Sequence, residues 1–130
     1  MAGVSNDMAP PRAAGPKDCL FCRIVAGEIP ATVVHETPTT LAFRDIAPKA
    51  PVHVLVIPKA HYPDLASLAE AEPGLAGEVL TAAAAVARAE GLLGDGYRTI
   101  FNTGPHGGQE VFHVHAHVVG GAPLGPMVAR

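Results

Sequence analysis

Apolar and polar positions alternate most strictly in His113-Val114-His115-Ala116-His117-Val118-Val119. In a strand, residues i, i+2 and i+4 share one face, so the three imidazoles line up, spaced by roughly 6–7 Å, with Val114, Ala116 and Val118 on the other side. The run predicts a strand over Val111–Val119. Val52-His53-Val54-Leu55-Val56-Ile57 is the most β-prone segment of the chain, and Pro58 ends it. Thr32–Glu36 and Thr40–Asp45, separated by Thr37-Pro38-Thr39, read as an antiparallel hairpin. Tyr97–Asn102 makes a fourth separate strand.

Helical spacing appears in two places and a shorter piece in a third. Between Glu72 and Leu93 the apolar residues Leu75, Val79, Leu80, Ala83, Val86 and Ala87 fall on one face of a helix. Pro73 suits its first turn and Gly91 or Gly94 its end, while Gly74 and Gly77 weaken its start. A short helix is expected from Cys19 to Val25, capped by Asp18 and stopped by Gly27, with Pro30 barring continuation. Residues 64–69 suit one further helical turn or two. Residues 1–17 carry Pro10, Pro11 and Pro16 without periodicity and read as a disordered lead-in, leaving one domain over 18–130. The sum is an α+β fold: a five-stranded antiparallel sheet with one long helix and one short N-terminal helix. The long helix covers one sheet face, and the histidines occupy the other. An exposed sheet edge needs cover, and dimerisation is one way to supply it.

Composition narrows the classes of function. The chain has 130 residues, 48% of them apolar, with a mean hydropathy of +0.26, which is a globular chain of one core. A net charge of −3 and the lack of a basic stripe argue against nucleic acid as partner. No apolar run reaches the roughly 18 residues a membrane helix needs. The first residues lack a basic and apolar leader pattern, so the expected setting is cytoplasmic.

Candidate chemistry gathers around the histidine run. Asn102-Thr103-Gly104-Pro105-His106-Gly107-Gly108-Gln109-Glu110 leads into it. Adjacent glycines allow a tight turn whose amides can hold an anion, phosphate being the natural one, although a plain hairpin turn explains Gly107-Gly108 equally simply. A neutral imidazole attacks phosphorus when one ring nitrogen is free and the other is held as N–H. His115 has a histidine two residues away on each side and is the best-placed nucleophile. His117 is suited to a phosphoryl oxygen or to protonating the leaving group, and Asn102 and Gln109 to the phosphate. His53 joins this network if its strand neighbours the histidine strand; otherwise it is a satisfied core histidine. Asp45 is suited either to ribose hydroxyls or to a turn. Cys19-Leu20-Phe21-Cys22 allows three readings: a redox pair, a buried pair of thiols, or half of a zinc site completed by histidines among positions 35, 53, 61, 106 and 113.

His113–Val119 resembles the signature of the histidine triad (HIT) family. Phe43-Arg44-Asp45-Ile46, Pro51–Lys59 and Gly107-Gly108-Gln109-Glu110-Val111 extend the likeness over about Cys19 to Met127. The glycines and the tail Pro123-Leu124-Gly125-Pro126-Met127 resemble the Hint branch, especially its bacterial members. The resemblance implies a homodimer with a joined ten-stranded sheet. It implies hydrolysis of purine nucleoside 5′-phosphoramidates, AMP joined to an amine or to lysine, through a nucleotidyl-His115 intermediate. It implies catalytic roles for His53, His113, His115 and His117. Ribose contacts fall on Asp45 and Ile46, and phosphate contacts on Asn102, Gly108, Gln109, Glu110, His115 and His117. In zinc-bearing members the ligands match Cys19, Cys22, His61 and His113, which implies a structural Zn²⁺ and no organic cofactor. Glu110 stands where animal Hint members have serine. Two other readings are a dinucleoside polyphosphate hydrolase of the Fhit type and a nucleotide-binding regulatory module.

Overall fold

A computed structural model describes residues 16–128. Almost all of the expected lead-in lies outside the described residues. The elements in chain order are α1 (Leu20–Val25), β1 (Val33–Glu36), β2 (Thr40–Arg44), β3 (Val52–Pro58), α2 (Leu65–Ala71), α3 (Pro73–Ala89), β4 (Tyr97–Phe101) and β5 (Ala116–Gly120). The strands form one antiparallel sheet in the order β1-β2-β3-β5-β4. The α+β class and the five-stranded antiparallel sheet are as expected, and α2 is a full third helix.

Period-2 patterning divides the sheet residues between two cores. Val54 and Val56 of β3 and Ala116 and Val118 of β5 pack under α3, which contributes Leu75, Val79, Ala82, Ala83 and Val86. The alanines let the helix lie close to the sheet. On the opposite face Leu41, Phe43, Leu55 and Ile57 pack with Phe21 of α1. Leu55 lies opposite His117 in the ladder, and His53 opposite Val119. The histidines therefore share the α1 face, away from the long helix.

Three boundaries differ from the expected ones, each for a local reason. The cap of α1 is Cys19 rather than Asp18, because the Cys19 sulfur accepts the Cys22 N–H at 3.4 Å. The long helix stops at Ala89 rather than Leu93. Gly91, at φ +75°, donates to the Arg88 carbonyl and Leu92 donates to the Ala87 carbonyl, a paired closure that turns the chain out of the helix. Strand β5 begins at Ala116, not Val111, because the ladder is intercepted. Val114 N–H donates to the Tyr62 carbonyl at 2.7 Å, and the Pro58 carbonyl is taken by the His113 ring at 2.8 Å. Side-chain alternation survives this break, since Val114 still packs in the α3 core while His113 and His115 stay on the α1 side.

Candidate active site and metal centre

Fixed backbone groups determine the tautomer of three histidines, and a fourth follows from one of them. A main-chain N–H can only donate and a carbonyl can only accept. The His113 carbonyl lies 2.8 Å from His115 Nδ1, so that nitrogen carries the hydrogen and His115 Nε2 keeps a free lone pair. Lys49 N–H donates to His53 Nδ1 at 3.0 Å, so His53 carries its hydrogen on Nε2. That N–H donates to His117 Nδ1 at 2.9 Å, which leaves the His117 hydrogen on Nε2. Finally, His113 Nε2–H donates to the Pro58 carbonyl, and its Nδ1 is left as a donor to a metal. The result is a pair of adjacent rings, His115 and His117, with centroids 4.9 Å apart. One offers a lone pair and the other an N–H.

The electrostatics keep these rings neutral. Burial lowers the proton affinity of His115 below the ordinary imidazole value, outweighing the hydrogen bond to His113 and the charge of Asp45. Burial, reinforced by His115 and His53, pulls His117 down to about 4. His53 is also lowered by burial, although its Nε2 lies 3.5 Å from Asp45 Oδ2. The geometry agrees with that direction: the Lys49 amide already occupies His53 Nδ1, so a second proton has no room there.

Among the described residues, two groups of donors lie close enough together to hold a cation. The sulfurs of Cys19 and Cys22 and the Nδ1 atoms of His61 and His113 all lie within 4.8 Å of one another. His113 Nδ1 is 3.5 Å from Cys19 Sγ and 3.6 Å from Cys22 Sγ. His61 Nδ1 is 3.3 Å from Cys22 Sγ and 3.2 Å from His113 Nδ1. Zinc bonds of about 2.3 Å to sulfur and 2.0–2.1 Å to nitrogen, at tetrahedral angles, separate the donors by about 3.3–3.8 Å. The set fits that geometry, and the Pro58 carbonyl supplies the outer hydrogen bond that orients a metal-binding imidazole. Asp45, His53 and His117 are also close together. They fit a metal poorly, since the hydrogen on His53 Nε2 occupies the position a metal would need.

The remaining expected site residues are placed unevenly. Asp45 accepts the Ala47 N–H at 2.8 Å and stands beside His53. Ile46 is fully exposed next to it. Asn102 uses one amide hydrogen to hold the Gly107 carbonyl at 2.8 Å. Buried Gln109 is committed to the protein: its oxygen accepts the Gly104 N–H, and its amide donates to the Pro63 and Val111 carbonyls. The anion nest expected of the glycines is not formed by the amides of Gly108 and Gln109, which are used within the turn on Pro105 and Gly104. Gly107 has another function: a Cβ there would lie 2.3 Å from the Thr103 carbonyl oxygen, so the turn closes only around glycine. Exposed Glu110 lines a crevice with Asp18, Cys19 and His61, on the side of the cysteine cluster. Sequence reasoning missed Lys49, which acts through its amide, and Phe21, whose ring meets His115 edge to face at 5.1 Å. The placement of Phe21 between the two cysteines was the available signal.

Residues 26–124 match the HIT domain. The chain belongs to the HIT domain family. This HIT domain is 44% identical over 114 residues to the purine nucleoside phosphoramidase of Escherichia coli strain K12, covering 88% of this chain and 96% of that one. It is 49% identical over 108 residues to a 14 kDa zinc-binding protein of Zea mays, covering 81% and 83%. In structure it is similar to a HIT family hydrolase from Clostridium thermocellum, with a TM-score of 0.83 and 39% identity over 88% of this chain and 99% of that one. Among the described residues, no helix of the HIT domain is long and apolar enough to cross a membrane.

Proposed function

We propose that this HIT-family hydrolase cleaves purine nucleoside 5′-phosphoramidates through a nucleotidyl-His115 intermediate. The observation that carries the reading is the opposed pair of tautomers, a free lone pair on His115 Nε2 beside an N–H on His117 Nε2. The likeness to a purine nucleoside phosphoramidase supports the substrate class. In the first step His115 Nε2 attacks the α-phosphorus, the P–N bond breaks, and the departing amine takes its proton from water. His117 donates its N–H to a phosphoryl oxygen and stabilises the charge that develops there. The His113 carbonyl holds the Nδ1–H of the cationic nucleotidyl-imidazole. In the second step hydroxide or water attacks phosphorus, AMP leaves, and the His115 lone pair is restored.

Asp45 and Ile46 are assigned to the ribose and Asn102 to the phosphate, since Asn102 retains one amide hydrogen. Gly108 and Gln109 are assigned to shaping the loop, because their backbone N–H groups and the Gln109 side chain are already engaged. Glu110 is assigned to the phosphate through its backbone, as its side chain is on the cysteine side. Cys19, Cys22, His61 and His113 are assigned to a structural zinc, supported by the donor spacing and the zinc-binding relative. A reducing cytoplasmic setting suits thiols that serve as metal ligands. Among the described residues β1 and β4 each end the sheet with an edge that needs cover, which supports a homodimer joined through a sheet edge.

The test is AMP release from an adenosine 5′-phosphoramidate of a simple amine, by the natural chain and by His115→Ala. Turnover by the first and none by the second, with AMP binding retained, is the expected result. Faster turnover of diadenosine triphosphate would move the reading to dinucleoside polyphosphates. AMP binding without turnover of either substrate would make the protein a nucleotide-binding module.

A further inference from the structure

His113 belongs to both halves of the site. Its Nδ1 faces the two sulfurs, its Nε2–H is tied to the Pro58 carbonyl, and its own carbonyl holds His115 Nδ1–H at 2.8 Å. The side chain is fully buried. A second link runs through α1. Phe21 stands between Cys19 and Cys22 and is itself buried against Phe43. Its ring meets His115 at 5.1 Å and 88°, and His113 at 5.9 Å and 67°. The attacking ring is thus pinned twice. One ligand of the cysteine-histidine cluster fixes its hydrogen, and a ring carried between two other ligands fixes its tilt.

We propose that the Cys19–Cys22–His61–His113 centre is a positioning device for the nucleophile, acting through the His113 carbonyl and Phe21. Occupied by zinc, it holds both groups where they set the tautomer and tilt of His115. Emptied, it leaves nucleotide binding in place and slows attack on phosphorus. This rests on the reading of His115 as the nucleophile. The cluster need not touch the nucleotide to act in this way: a displacement of about 1 Å at a reacting atom costs about a hundredfold in rate.

The test compares the full chain loaded with zinc, the same chain stripped by a chelator, and a zinc-loaded Phe21→Leu variant. Three quantities are read on each: AMP affinity by calorimetry, the ring tautomer of His115 by ¹⁵N nuclear magnetic resonance, and the rate of adduct formation in a single turnover. In the stripped protein the expected result is mixed His115 tautomers, AMP affinity retained, and adduct formation slower by about a hundredfold. Phe21→Leu should keep its zinc and lose about two- to tenfold in the same step, the worth of one edge-to-face aromatic contact. A folded, stripped protein with the Nδ1–H tautomer and full rate overturns the proposal. So does a Phe21→Leu variant at full rate, and that variant decides alone if stripping unfolds the chain. Loaded natural protein that forms no adduct defeats the nucleophile reading instead, and the tautomer measurement still judges the positioning.

Discussion

Replacing Gly107 by alanine places a methyl group inside the loop that precedes the histidines. The new Cβ would sit 2.3 Å from the Thr103 carbonyl oxygen and 2.9 Å from its nitrogen. An ordinary contact needs about 3.5 Å, so backbone must move by about 1 Å. No flexible side chain can absorb the shift, because both atoms are main chain. The movement strikes the Asn102 bond to the Gly107 carbonyl and the turn that Gln109 closes on Gly104. A misplacement of that size costs about a hundredfold in kcat/KM, equivalent to about 2.7 kcal/mol of transition-state stabilisation. Gly107 is exposed, so global stability should fall much less than activity. Gly108→Ala is the control: its Cβ meets nothing within 4 Å, and the cost is the left-handed φ of +79° alone. The assay is AMP release from an adenosine phosphoramidate, with urea denaturation run alongside. A Gly107→Ala protein with the natural kcat/KM would refute the argument that the closed turn positions Asn102 for the phosphate.

Four further outcomes follow from the same structure. Activity should stay flat as pH falls through 6.5, the ordinary imidazole value, and drop only below it, because burial holds the proton affinity of His115 down and keeps its Nε2 lone pair free; a kcat/KM profile centred on 6.5 would contradict this. Gly91→Ala should destabilise by about 1–2 kcal/mol in urea melts, since it forces a side chain into a φ of +75°, whereas Gly77→Ala, with open space inside α3, should stabilise by about 0.5–1 kcal/mol. Leu68→Ala, at a fully buried position of α2, should cost about 2–5 kcal/mol by the same melts.

Periodicity carried the fold where packing follows period. Val54 and Val56 face α3 while Leu55 and Ile57 face α1, as strict alternation in β3 requires. It failed where a side chain captures backbone, because such captures are tertiary and leave no mark in local sequence. The His113 ring takes the Pro58 carbonyl and ends the ladder five residues early; the Cys19 sulfur replaces Asp18 as the helix cap. The site was legible as a set of residue types, since three aligned histidines and a Cys-x-x-Cys pair are conspicuous. The division of labour was not. Gln109 reads as a phosphate ligand from its neighbours, yet the fold uses all its polar atoms on Gly104, Pro63 and Val111. Nothing in the local sequence singles out Lys49, yet its amide sets the tautomer of His53 and, through it, His117.

The central claim is that His115 carries the nucleotide covalently. Mixing the full chain with an adenosine 5′-phosphoramidate, quenching in alkali within a single turnover and mapping the adduct by peptide mass spectrometry tests it most directly. The account predicts one adenylyl group on His115, absent from His115→Ala and lost again as AMP appears. AMP released at the natural rate with no adduct at any quench time, or an adduct on His117 instead, would contradict it.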